Sequence, residues 1–334
     1  MRLIDASYEI IPQEESLLGV YKQIEKAART AYKSEDKITE GSAQRMVESL
    51  CKLNHGAALE HGTIYLEVPY FLKRKDPSGM DWAFFSSDHL IPRVADGYYG
   101  NPYSKVSCNP YKQCDCITTN ARVIFENGWE DDLQYMCEPT EFHEKRITVK
   151  FTTSMGIVRE ILRHRHFSFL NESTRYCNYG KDKFGSELTF IIPEWIYKVQ
   201  AERADYCDPL TKESRAWLMK KQGEDLIEHL VCIDRSVATW WDTMIKAQDD
   251  YIYLTTTDEG YKLKPEEARG ILPLDLKSEL IVTGFVSDWI HFFRLRSYIA
   301  ATGKPHPDIQ ILADPLMQEF IDRGYCTYEE IHKK

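Results

Sequence analysis

The densest run of chemically useful side chains lies between Arg159 and Tyr176, in the segment REILRHRHFSFLNESTRY. Arg159, Arg163, Arg165 and Arg175 sit there, with His164 and His166 between them. A helix over Gly156 to His166 would put Arg159, Arg163 and His166 on one side and pair Glu160 with His164 on another. Ile157, Val158, Ile161 and Leu162 supply the apolar surface that would pack it down. Guanidinium groups held on a packed helix suit phosphate, because each offers a rigid fork of donors. Guanidinium and imidazole also suit the edge or face of a heteroaromatic ring. Asn171, Glu172, Ser173 and Thr174 follow, short polar groups of the kind that orient a ligand at a pocket wall. The same residues also suit a solvated basic face making salt bridges, or a helix that grips RNA.

The balance of charge weighs against RNA. Lys and Arg number 42 against 52 Asp and Glu, a net charge of -10, whereas a general nucleic-acid binder needs an excess of cations to neutralise phosphates. An anion bound here must therefore meet a local positive cluster. No apolar run approaches the ~18 residues of a membrane span, and Met1 to Pro12 carries Asp5 and Glu9 and lacks a signal-peptide core. A cytoplasmic protein is expected. Its nine cysteines form no regular framework and are expected as reduced thiols. Cys108, Cys114, Cys116 and Cys137 crowd one region, but their spacing matches no common zinc pattern and no His pair follows. No metal is expected.

These groups must be positioned by a mixture of helices and strands. Helices are expected at 16 to 32, from Ser42 as N-cap to His55 with Gly56 as the stop, and at 130 to 137. Further helices are expected at 156 to 166, at 212 to 249 with a break near Gly223, from Pro265, at 276 to 301, and from Pro315. Strands are expected at 63 to 68, 117 to 125, 147 to 153 and 188 to 192. Residues 73 to 110 read as loop-rich. The fold class expected is α+β, a mixed or antiparallel sheet packed with long helices.

Arg163-His164-Arg165, seven residues, then Ser173, with Thr174-Arg175-Tyr176 behind it, resembles the signature of flavin-dependent thymidylate synthases. His55-Gly56 through Glu60-His61, Ala268-Arg269 with Leu272-Pro273-Leu274, and Arg294-Leu295-Arg296 resemble three further segments of that family in order and spacing. The resemblance covers about two thirds of the chain. It implies the family's α/β fold, a homotetramer whose active sites combine several subunits, and methylation of dUMP to dTMP. The co-reactants it implies are FAD, NADPH and 5,10-methylenetetrahydrofolate.

Carried over by position, the resemblance gives FAD contacts at His55, Arg163, His164, Arg165, Asn171, Ser287 and His291. It gives dUMP contacts at Glu160, Arg163, Asn171, Glu172, Ser173, Thr174, Arg175, Arg269 and Arg296. Arg296 would be the catalytic residue. It follows Trp289, Phe292 and Phe293 on a core-facing stripe, so its charge needs an anionic partner. A uracil ring deprotonated at nitrogen 3 would serve, raising electron density at carbon 5. The structural alternative pairs Arg296 with Asp288 or Glu279. For His55 the expectation is a helix C-terminus, where the dipole favours a protonated imidazole, or a plain capping role. Cys177, just past the signature, is read as packing.

The sequence also departs from the family pattern. Asn171 stands where many members have Glu, with Glu172 displaced by one position, and Phe285 and Ser287 stand where members often have Asn and Arg touching FAD. Ala57 replaces a usual hydroxyl residue. The chain is expected to be one catalytic domain with an insertion at about 73–146. The alternatives are a related alkylase that methylates UMP or hydroxymethylates dUMP, and a non-catalytic RNA-binding protein.

Overall fold

The computed structural model describes residues 1–70, 94–180, 187–206, 219–299 and 303–333. In chain order the elements begin with β1 (Arg2–Ile4), β2 (Ser7–Ile11), α1 (Ser16–Tyr32), α2 (Ser42–Lys52), α3 (Gly56–Leu59) and β3 (Thr63–Pro69). Then come α4 (Asp96–Tyr99), β4 (Lys105–Asn109), β5 (Cys114–Asn120), α5 (Ala121–Asn127) and a 3-10 turn at Glu130–Tyr135. The signature region holds β6 (Arg146–Ser154), α6 (Met155–Ile161) and β7 (Ser168–Asn171). The rest is β8 (Thr189–Ile191), α7 (Glu194–Tyr206), α8 (Gly223–Val231), α9 (Arg235–Thr256), α10 (Pro265–Ala268), β9 (Lys277–Phe285), α11 (Val286–Arg296), α12 (Pro307–Asp322) and α13 (Tyr328–His332).

The central sheet has the order β2-β6-β9-β7 and is antiparallel throughout. Its two faces follow from strand alternation. Ile147, Val149, Phe151, Leu280 and Val282 point one way and form a core with α6, α11 and α12. Arg146, Thr148, Lys150, Lys277, Glu279 and Thr283 lie on the other face, which α1 covers through Ala27 against Ile11 and Ile281. A second core joins β1 and β8 to α7, α8 and α9, and a third joins α1 and α2 to the sheet β3-β5-β4. The fold is a mixture of helices and antiparallel sheet, as expected from the sequence.

Several boundaries differ, for local reasons. The helix expected at 276 to 301 is strand β9 followed by α11. Ile281, Val282 and Thr283 are β-branched and buried between two neighbouring strands, and that burial decides the conformation. The strand expected at 117 to 125 ends at Asn120, whose side chain accepts from Val123 N and starts α5. Ser42 lies inside α2 rather than capping it; its hydroxyl donates to Thr39 O at 2.7 Å. The expected loop at 73 to 110 contains α4 and β4; its residues 73–93 lie outside the described ones. The helix expected at 212 to 249 does break near Gly223: Met219 is helical, residues 220–222 are not, and left-handed Gly223 opens α8. It breaks a second time at Cys232 to Asp234, and residues 207–218 are outside the described ones. Pro315 lies within α12.

Candidate functional site

Ser154 ends β6 and caps α6, its hydroxyl accepting from Ile157 N at 3.3 Å. Ile157, Val158 and Ile161 anchor the helix in the core. The helix stops at Ile161, five residues before the expected end. Two anchors impose this: Phe167 must seat its ring against Gly284 of β9, and Ser168 must pair with Thr283. The chain covers the distance in consecutive turns, with His164 N donating to Ile161 O and Phe167 N to His164 O. Arg163, His164, Arg165 and His166 are therefore not on a helix, and the expected basic helical face does not form. Arg163 and Arg165 point to solvent, whereas His164 is buried.

The end of α11 meets this turn. Arg296 Nε donates to His164 Nε2 at 3.0 Å, Nη1 to Glu160 Oε2 at 2.9 Å and Nη2 to Glu160 O at 3.2 Å. The ion partner of Arg296 is thus Glu160, not Asp288 or Glu279. Asp288 accepts instead from Phe285 N, and Glu279 lies among lysines. Glu160 and His164 do come together, bridged by the guanidinium. Burial, then the charges of Arg296, His291 and His166, hold the His164 imidazole down to about 4. Neutral at pH 7, and accepting at Nε2, it carries its proton on Nδ1. His164, His166, Phe167, Asp288 and His291 line a pocket of about 190 Å³.

The polar turn is fixed at both ends. Glu172 N donates to Glu279 O at 2.8 Å and Ser173 N to Ala31 O, one of the last carbonyls of α1, at 3.0 Å. Asn171 Oδ1 accepts from Ser278 Oγ at 2.8 Å. The Glu172 carboxylate is buried, accepting from Tyr179 Oη and Lys277 Nζ at 2.8 and 2.7 Å. Lys277 and Lys150 also pair with Glu279 at 3.1 and 2.8 Å, and Lys33 reaches the same carboxylate. Burial would push Glu279 up, but Lys277 and Lys33 outweigh it and hold the carboxyl at about 2. Three ammonium groups thus face two carboxylates behind the signature turn. Sequence reasoning missed Lys33, Lys150 and Lys277. The alternation of Lys277, Glu279 and Ile281 on one strand face was the available signal, and reading that stretch as helix hid it.

The remaining candidates are spread around these two clusters. Arg163 lies 3.7 Å from Glu160 in an exposed i,i+3 pair. Ser173 Oγ accepts from Arg175 N, and Thr174 is half-buried beside it. Arg175 Nε donates to Glu266 at 2.7 Å; Arg175, Lys264 and Arg269 together lower the Glu266 carboxyl. Arg175 and Arg269 are thus brought to one place. Ser287 accepts from Lys105 at 2.6 Å, and His291 packs edge-on to His164 with ring centroids 6.3 Å apart. His55 is exposed and lies at both helix ends: past left-handed Asn54 its N–H donates to Leu50 O at 2.9 Å and closes α2, and it directly precedes α3. In the same segment His61 is buried, bonded at 2.8 Å to Thr283 on the central sheet. Cys177 is buried in the second core, as packing requires.

Residues 132–323, more than half of the chain, match the family described as Thy1, Thymidylate synthase complementing protein. The chain belongs to the Thy1 family. The Arg163 to Ser173 signature and Arg296 lie inside the match and the His55 to His61 segment outside it, and the family resemblance of the sequence is borne out. Over 168 residues the chain is 27% identical to the flavin-dependent thymidylate synthase of Synechocystis sp., covering 50% of this chain and 63% of that protein. It is 24% identical over 168 residues to a probable flavin-dependent thymidylate synthase of Paramecium bursaria Chlorella virus 1, covering 50% and 64%. The chain thus spans a little under two thirds of these curated relatives. A crystal structure of the UMP/dUMP methylase PolB from Streptomyces cacaoi, bound with 5-Br dUMP, aligns over 96% of this Thy1 chain and 93% of its own, with 18% identity and a TM-score of 0.41. No described helix of the Thy1 chain is long and apolar enough to cross a membrane.

Proposed function

We propose that the protein is a flavin-dependent thymidylate synthase that methylates dUMP to dTMP, with methylenetetrahydrofolate as carbon donor and NADPH as reductant. The observation that carries this reading is the Arg296 fork held at Glu160 and His164, within the family match. FAD, when bound, supplies the hydride. The residues present fit a flavin ring: His164, His166, His291 and Phe167 are flat groups around one pocket. At about 190 Å³ that pocket is smaller than the ~300 Å³ at the low end of ligand sites. The chain supplies one wall, which supports a homotetramer with shared sites. His55, Arg163, His164, Arg165, Asn171, Ser287 and His291 are the proposed flavin contacts.

Arg296 is the proposed catalytic residue. A uracil deprotonated at nitrogen 3 would compete with Glu160 for its donors, and the fixed cation would stabilise that anion where carbon 5 must gain electron density. Neutral His164 holds Nε in place without adding charge. Arg163 and Asn171 would meet the nucleotide from the same side, and Glu160 would act on it through Arg296, as the partner the uracil displaces. Ser173, Thr174, Arg175 and Arg269 would take the phosphate, favoured by the surplus lysine charge behind the turn. Glu172 contributes by fixing that turn, since Lys277 and Tyr179 occupy its carboxylate. A reducing cytoplasm suits cysteines that are all free among the described residues.

A visible spectrum of the purified protein tests the reading. Flavin absorbance should bleach with NADPH, faster with dUMP present than with UMP. Protein that stays colourless and cannot be loaded with FAD would sink it. Faster bleaching with UMP would move the substrate to the ribonucleotide, a reading favoured by Glu172 being turned into the lysine cluster with Asn171 in its usual place.

A further inference from the structure

We propose that the sheet β3-β5-β4 binds a thiophilic divalent metal of the zinc class through Cys114, Cys116 and Glu67, with Cys137 as the fourth ligand. Strand register brings the first three together. Glu67 lies directly across from Cys116 and Pro69 across from Cys114, so alternation puts both thiols on the face that carries Glu67. Their sulfur and carboxylate atoms all lie within 4.8 Å of one another. Both thiols are buried and Glu67 is half-buried.

Cys137 reaches the same face from the neighbouring segment. Met136 bridges Leu66 in antiparallel sense, and Cys137 N donates to Tyr65 O at 3.0 Å. That pairing aligns Cys137 with Tyr65, two positions along β3 from Glu67. His143 stands behind it, with Nε2 3.9 Å from Cys137 Sγ and 3.1 Å from Leu66 O. Lys112 Nζ currently holds both Glu67 oxygens, at 3.0 and 2.9 Å, and metal would displace it from at least one.

Zinc takes four ligands, with Zn–S bonds of ~2.3 Å, so tetrahedral sulfur atoms stand about 3.7 Å apart. Side-chain rotations would bring Glu67, Cys114 and Cys116, already within 4.8 Å of one another, to that spacing, and Cys137, outside that group, would turn in to complete it. Thiolates select zinc-class ions over magnesium or calcium. Each coordinating thiol gives its proton to solvent as the metal binds. The Cys-x-Cys spacing escapes sequence patterns because the ligands come from adjacent strands and not from a zinc knuckle. Cys108 points to the opposite face, its thiol 3.8 Å from Asp115, and takes no part. Metal here would tie the β3-β5 pair to Met136, Cys137, Glu138 and Pro139, which line a cavity of about 620 Å³ beside Arg146.

The test uses the full chain, reduced and stripped with a chelator, then titrated with Zn²⁺ against a chromophoric indicator and separately with Co²⁺. About one zinc per chain should bind, and cobalt should give thiolate charge-transfer absorption with the visible bands of a tetrahedral site. Cys108→Ser should bind as the parent does, and Cys114→Ser with Cys116→Ser should lose ~100-fold or more in affinity. The proposal is overturned if the parent chain takes no zinc from the indicator, or if its cobalt form lacks thiolate bands. The wild-type titration decides even where the double variant does not fold.

Discussion

Arg296 shows how one side chain can be both structural and poised for chemistry. Its side chain is four-fifths covered, and the three guanidinium nitrogens are spoken for by Glu160 and His164. Glu160 neutralises it at rest, so an anionic uracil must outcompete that carboxylate. Arg296→Ala should lower kcat by ~10²–10³ if the cation acts on the developing anion. Arg296→Lys should recover little, because a single ammonium cannot reproduce a fork spanning an imidazole and a carboxylate. Glu160→Gln should behave oppositely: it keeps an acceptor for Nη1 but removes the competing charge, so dUMP should bind at least as tightly as to the parent. Equilibrium binding of dUMP alongside turnover separates these variants. A Glu160→Gln protein with much weaker dUMP binding would show that the carboxylate contacts the nucleotide directly.

At the scale of elements, the site depends on how α6 ends. Phe167 draws the chain off the helix axis, and its ring fits only because Gly284 has no side chain. A Cβ at Gly284 would lie 2.1 Å from Phe167 Cδ1. Gly284→Ala should therefore cost about 1–3 kcal/mol of stability, read as a lower denaturation midpoint, and pairing it with Phe167→Leu should recover part of the loss. An unchanged midpoint in the single variant would mean that the turn is not held by this contact. The same contact explains what the sequence could and could not reveal. The β6–α6 passage was legible because alternation over Ile147, Val149 and Phe151 gives way to helical spacing at Ile157, Val158 and Ile161. The helix end was not, since RHRH continues an acceptable helical pattern and only the long-range pairing of Ser168 with Thr283 ends it. β9 was misread for a related reason. SELIVTGF is apolar enough to suit a buried helix, and its two partner strands decide the conformation. Signature residues such as Arg163, Ser173 and Arg296 were found through the family resemblance, while Lys33, Lys150 and Lys277 come from three separate elements, and only Lys277, alternating with Glu279 and Ile281, left a local signal.

Across the whole molecule, buried neutral histidines set the response to acid. Burial, with the nearby charge of Arg146, holds His61 down to about 3; burial, then Arg296, holds His164 to about 4. Burial also lowers His143. The unfolded chain protonates its imidazoles near 6.5, so below that pH it takes up protons that the folded chain refuses. Stability from these groups is complete above ~6.5, falls as pH drops, and levels off only below the folded values near 4 and 3. Each such proton steepens the fall by about 1.4 kcal/mol per pH unit. Two other effects oppose it. Asp275, Asp288 and Asp314 have carboxyls raised by burial and favour the folded state as they protonate, but they act closer to the acid range of carboxylates. Acidification also reduces the net charge of -10, yet that repulsion is spread over the surface and screened within ~8 Å at physiological salt. The histidines should dominate between pH 6.5 and 5, where the melting temperature should fall, and His164→Asn should make the slope shallower by about one proton. Melting followed by circular dichroism at constant ionic strength checks this. A melting temperature that holds level or rises across that interval would mean that the buried imidazoles are not what limits acid stability.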